Sequence, residues 1–186
     1  WVIAATNLST FVMYTTWVLY TTYRFDWGPR ENGWSLFAMG LASTIVQGFL
    51  LTRLLRRFSA RHLAVAGLAS SGIGYVCWGL ATAPWVMFAV IALNLLGWTV
   101  TASIQSIVSN AADARTQGET MGAVSSLASL MAVIAPMLGA PLMAAVSHLP
   151  PLDWRVGAPM YFCALLQFAG MFFAIRHFAQ PRTIET

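Results

Sequence analysis

Residues 62–112 read HLAVAGLASSGIGYVCWGLATAPWVMFAVIALNLLGWTVTASIQSIVSNAA, with no Asp, Glu, Lys or Arg from one end to the other. A helix needs about 20 apolar residues to cross a hydrocarbon core of roughly 30 Å. This tract is long enough for two crossings, and Ala83-Pro84 divides it. Proline disfavours helical geometry in the residue before it and readily opens the next helix. The stretch therefore predicts two antiparallel membrane helices joined by a tight turn.

The same criterion carries outward in both directions. Uncharged tracts cover residues 1–23 and 32–52 before it, and 120–152 and 156–175 after it. Together they predict six spans at about 1–23, 33–52, 62–82, 85–108, 117–145 and 156–176. The expected fold is an all-α integral membrane unit of six transmembrane helices, a single domain over residues 1–186. Composition agrees: 58% of the residues are hydrophobic and 9% charged, against about 25% charged in an average soluble domain. The first tract is too long for the apolar core of a signal peptide and has no basic flank. It opens on Trp1, as expected of a piece of a longer polypeptide.

The charges lie in the connections. All ten basic residues are Arg, and the net charge of +4 comes in short clusters rather than a stripe, which excludes a nucleic-acid binder. Arg53, Arg56, Arg57 and Arg61 fill one connection, Asp113 and Arg115 lie in a second, and Arg176 and Arg182 follow the last span. On the other side stand Arg24, Arg30 and Arg155, offset by Asp26, Glu31 and Asp153. The positive-inside rule puts the richer side in the cytoplasm, so both ends are expected there, in the cell inner membrane. The same arginines would serve equally to anchor anionic lipid.

Helix faces follow from spacing. Gly67, Ser70, Ser71 and Gly74, and again Gly118, Gly122, Ser125 and Ser129, form small-residue stripes expected to pack against neighbouring helices. Thr116 and Glu119 have the spacing of a capping box for the fifth span, and Pro136 and Pro141 are expected to kink it. Larger polar groups share faces elsewhere: Asn7, Thr10, Tyr14, Trp17 and Thr21; Ser43 and Gln47; Asn94, Trp98, Thr101 and Gln105. An unpaired amide in hydrocarbon costs several kcal/mol. These faces must therefore line a wet pathway or pair between helices.

Reactive groups are scarce. No Asp, Glu or Arg lies in the middle of a span, His62, His148 and His177 fall near span ends, and Cys77 and Cys163 sit singly in apolar tracts. No metal cluster or acid–base pair can be assembled, so no enzyme and no cofactor is expected.

Several patterns carry a resemblance. The first is Trp17-Val18-Leu19-Tyr20, Arg24-Phe25-Asp26-Trp27, Gly33-Trp34-Ser35-Leu36, Gly40 and Gln47. The second is Gly72, Gly74 and Tyr75; the third is Gln105, Ser109, Asp113, Gln117, Gly118 and Gly122, followed by Ser125-Ser126-Leu127 and Pro136. In order and spacing these resemble the seventh to eleventh helices of the tetracycline-efflux family of major facilitator transporters. The resemblance implies the C-terminal six-helix half of a twelve-helix transporter, partnered by an N-terminal half and the lipid bilayer. Three positions depart from the family pattern: Ser43 replaces a His, Ser71 an acidic residue and Met13 a proline. Architecture and transport class are thus implied, but not tetracycline as substrate.

The expected function is secondary-active export of small amphipathic molecules by alternating access, with proton coupling left to the N-terminal half. Asn7, Tyr14, Trp17, Ser43, Gln47, Asn94, Trp98, Thr101 and Gln105 are the expected substrate pathway. The alternative is a non-transporting membrane scaffold or regulatory half-transporter.

Overall fold

Asp26 ends the first helix. It takes a left-handed conformation (φ 56°, ψ 38°) and its N–H bonds back to Thr22 O at 3.0 Å, a conformation Asp tolerates better than most residues. In this computed structural model, which describes residues 1–111 and 116–179, that helix is α1 (Val2–Phe25). Pro29 opens α2 (Pro29–Ile45), where the Glu31 carboxylate accepts the Gly28 N–H at 3.0 Å. A π-helical segment, Val46–Leu50, leads into α3 (Leu51–Arg57), so residues 29–57 form one rod. Ser59 caps α4 (Ala60–Leu80) by accepting the His62 N–H at 3.4 Å. Pro84 opens α5 (Pro84–Leu93), a 3₁₀ turn follows at Gly97–Thr99, and α6 (Val100–Ala111) continues. The last two long elements are α7 (Gln117–Val146) and α8 (Ala158–Ala179), the latter preceded by a 3₁₀ turn at Trp154–Gly157.

Five of these helices are long and apolar enough to cross a membrane, and six when α5 and α6 count as one bent span. No strand occurs among the described residues. The chain is an all-α, multi-pass membrane protein.

Close packing runs through α4. A Cβ on Gly67 would lie 2.7 Å from Val100 and 2.8 Å from the Leu96 carbonyl, and one on Gly72 would lie 2.7 Å from the Phe168 ring. Where α8 begins, a Cβ on Gly157 would meet the Cα of Gly79 at 2.7 Å. The absent side chains let backbones approach, the usual basis of helix association in lipid. The α4 stripe is therefore a packing face, with α8 on one side and the α5–α6 connection on the other. Around it Trp17, Tyr20, Trp78, Met87 and Met160 form the buried core.

The structure departs from several sequence expectations. The fourth span is broken: α5 and α6 meet at 56°, because Asn94 leaves helical geometry (φ −77°, ψ 46°). Thr116 stands at the start of α7 without the side-chain capping bond that its spacing to Glu119 predicts. Helix α7 holds Pro136 and Pro141 inside it, as the fifth span was expected to. Its stripe meets no neighbour in the described chain at two positions, since a Cβ added at Gly118 or at Gly122 would have no other atom within 4 Å.

Candidate functional site

One end of the bundle is locked by side chains donating to backbone carbonyls. Tyr20 Oη donates to Trp78 O at 2.6 Å, and Tyr23 Oη to Ser147 O at 2.7 Å and to Leu149 O. Arg24, which the sequence places in a connection, belongs to the last turn of α1 and is only 4% exposed. Its Nε donates to Ala81 O at 2.6 Å and its Nη1 to Asp153 O at 3.1 Å. The ends of α1 and α4 and the loop before α8 are thus joined by one side chain. Beside them Asp153 and Arg155 pair at 2.7 Å. The hydrogen bonds from Arg155 hold the Asp153 carboxyl at about 2, below its ordinary 3.8.

Nearer the middle, α1 and α2 are sewn together by small polar groups. Trp17 is fully buried, with its indole N–H on Ser35 Oγ at 2.9 Å and its ring edge-on to Trp78 at 4.8 Å. Thr21 Oγ1 bonds Asn32 Oδ1 at 2.6 Å. Trp17 is therefore a packing and hydrogen-bonding group of the α1–α2 seam, away from any open surface.

Four other predicted pathway residues, Ser43, Gln47, Asn94 and Trp98, lie at or beside segments where helical geometry fails. The π segment Val46–Leu50 touches the 3₁₀ turn Gly97–Thr99. Gln47 lies in the first, exposed, with its Nε2 donating to the half-buried Ser43 Oγ at 2.6 Å. At the second, Asn94 Oδ1 accepts from Ser70 Oγ at 2.6 Å, and Trp98 Nε1 donates to Ile91 O at 3.2 Å. The Trp98 indole thus satisfies a carbonyl that the break frees, and the Asn94 side chain ties the break to α4. Thr101 and Gln105, on α6, are exposed, as is Tyr14 on α1, while Asn7 is half-buried. The structure thus exposes Tyr14, Gln47, Thr101 and Gln105, buries Trp17, and leaves Asn94 and Trp98 half-buried with their polar atoms bonded inside the chain. Sequence spacing could not separate the two groups: a helical face has one register whether its polar atoms are paired or open. A π segment and a broken helix also free backbone groups, and both recur at functional sites.

At the opposite end Arg53, Arg56, Arg57 and Arg61 are all exposed, and the Arg61 guanidinium sits 5.4 Å above the Phe178 ring. Asp113 and Arg115 lie outside the described residues. Gln117 Nε2 donates to Ser109 Oγ at 2.7 Å, tying the end of α6 to the start of α7. Among the described residues no three His, Cys, Asp or Glu side chains cluster as metal ligands.

A bundle of membrane-length helices, irregular at mid-chain and polar there without ionisable groups, has the architecture of a transporter domain. The Major Facilitator Superfamily profile matches residues 2–185, and the chain belongs to that superfamily, a family of transporters and not of enzymes. It is 30% identical to the class C tetracycline resistance protein of Escherichia coli over 150 residues, which are 80% of this chain and 38% of that protein. The class G protein of Vibrio anguillarum is 31% identical over 150 residues, again 80% and 38%. The class B protein of Escherichia coli is 27% identical over 176 residues, 92% of this chain and 43% of that protein. The chain thus spans about two fifths of the length of these curated relatives. No solved structure matches it.

Proposed function

We propose that this chain is the C-terminal six-helix half of an exporter of small amphipathic molecules, working by alternating access against an N-terminal half that carries the proton-coupling groups. The observation that carries the reading is the likeness to tetracycline resistance proteins along most of this chain but under half of theirs. In this reading the protein lies in the inner membrane with both ends cytoplasmic, the arginines of α3 marking the cytoplasmic side. Substrate meets the exposed amides and hydroxyls of Gln47, Thr101 and Gln105, with Asn7, Tyr14 and Ser43 beside them. Trp17, Asn94 and Trp98 hold those groups in place. A wall with no charge of its own favours neutral or weakly cationic substrates, whose polar atoms the amides orient.

The test is transport by the intact protein in proteoliposomes, run over a panel of neutral and weakly cationic amphiphiles with and without a pH gradient. Substrate-dependent export driven by the gradient is expected. Replacing Gln47 and Gln105 together by Leu should lower the rate at least tenfold while insertion and helix content stay unchanged. Absence of transport for every compound would favour the scaffold alternative, and unchanged transport in the double variant would remove the two amides from the pathway.

A further inference from the structure

One groove is explained by none of the polar faces above. It lies between the first turns of α2 and of α5 and encloses about 590 Å³, within the range of small-molecule sites. Trp27 and Phe88 form its floor, their rings 5.5 Å apart, and Trp34 and Trp85 form its walls, 59% and 69% exposed. Ala38 leaves room at its centre. The single ionisable group of the lining is Glu31, on its rim.

Three features together specify the occupant. First, the lining runs along α2 from Glu31 to Leu41, ten residues of helix or about 15 Å, half of a hydrocarbon core. An apolar tail inserted alongside it would span one leaflet. Second, one Glu31 oxygen accepts the Gly28 N–H at 3.0 Å, and the carboxylate makes no ion pair among the described residues. Glu31 therefore gives the lining one negative charge, which no other lining residue offsets. Third, aromatic faces beside a carboxylate attract a cation more strongly than either does alone.

We infer that this groove binds a monocationic amphiphile, its alkyl or aromatic tail lying against Ala38 and its ammonium head held between Glu31 and the indoles of Trp34 and Trp85. The site stands apart from the transport reading, because binding can be measured where no transport occurs.

Equilibrium dialysis of radiolabelled decyltrimethylammonium against the intact protein in dodecyl maltoside micelles, with protein-free micelles as blank, tests it. Saturable binding is expected, with 1-decanol competing at least tenfold less well. Glu31→Gln keeps an acceptor for the Gly28 N–H, and so keeps the start of α2, yet should raise Kd at least tenfold. Ala38→Trp fills the groove and should abolish saturable binding, whereas Glu119→Gln, on α7, should change nothing. An unchanged Kd in Glu31→Gln, or equal competition by decanol, overturns the assignment. Absence of saturable binding to the unaltered protein also overturns it, and would mean that another segment of the polypeptide or a lipid covers the groove.

Discussion

A guanidinium is costly to bury without a direct salt bridge, and Arg24 is buried with two backbone carbonyls and the Tyr20 ring, 5.8 Å away, as its partners. The arrangement works because the Ala81 carbonyl ends α4 without an intrahelical donor, while Asp153 O, which also accepts the Val156 N–H at 3.1 Å, gives the guanidinium a second acceptor. Arg24→Met keeps most of the volume and removes the donors. Stranding the Ala81 carbonyl should lower stability by about 1–3 kcal/mol, read as a drop in thermal midpoint in detergent. Arg24→Lys should recover only part of it, since an ammonium cannot reproduce the planar fork. A wild-type melting profile for Arg24→Met would show the contact to be idle. Asp153 makes the complementary case for pH. Its pKa is about 2 folded against 3.8 ordinarily, so its contribution is complete above 3.8 and disappears as pH falls through about 2. Hydrogen exchange at the Arg155 N–H, which Asp153 Oδ1 accepts at 2.9 Å, should stay protected through the ordinary carboxylate range and lose protection only as pH falls through about 2. Asp153→Asn should remove that transition.

Helices were legible where one physical rule acts alone. Charge-free tracts of membrane length locate all the long elements, and Ala83-Pro84 marks a true boundary because proline constrains the backbone by itself. The break at Asn94 was hidden because it depends on a neighbour: Ser70 on α4 holds the Asn94 side chain, and Gly74 and Gly97 make room for it. Arg24 was misplaced for the same reason, since its acceptors lie 57 and 129 residues away in sequence. The capping-box spacing at Thr116 failed because spacing permits that bond without requiring it. Glycine stripes give the cleanest contrast. At Gly157 an added methyl meets backbone of Gly79, which cannot rotate away, whereas at Gly72 it meets the edge of the Phe168 ring, which can shift. Gly157→Ala should therefore cost more than Gly72→Ala, with overpacking at about 1–3 kcal/mol for the ring and more for the backbone. Gly118→Ala should instead leave stability level or raise it by up to about 1 kcal/mol, because nothing among the described residues opposes the methyl. Thermal midpoints of the three variants decide the order, and equal losses would refute it.

At the scale of the whole molecule, α7 carries a small-residue face that meets no neighbour at Gly118 or Gly122 among the described residues. In lipid a stripe of Gly118, Gly122, Ser125 and Ser129 gains little by facing acyl chains, which are better covered by large apolar side chains such as the exposed Phe172 and Leu165 of α8. Small residues gain when another helix comes close. The two stripes of this chain thus differ in what lies opposite them: α4 meets its partners within the bundle, while α7 presents an equivalent surface outward. If the N-terminal half proposed above docks there, a bulky side chain at Gly122 should disturb transport without disturbing this chain's own packing. Gly122→Trp is expected to reduce export by the intact protein at least tenfold and to leave the melting of the isolated 186-residue chain within about 1 kcal/mol of the parent, as for a surface substitution. Leu165→Trp, a large-for-large exchange at a position 65% exposed, should be silent in both assays. Should lipid rather than protein cover the α7 stripe, Gly122→Trp would be as silent as Leu165→Trp, and the docking face would have to be sought along the exposed side of α2.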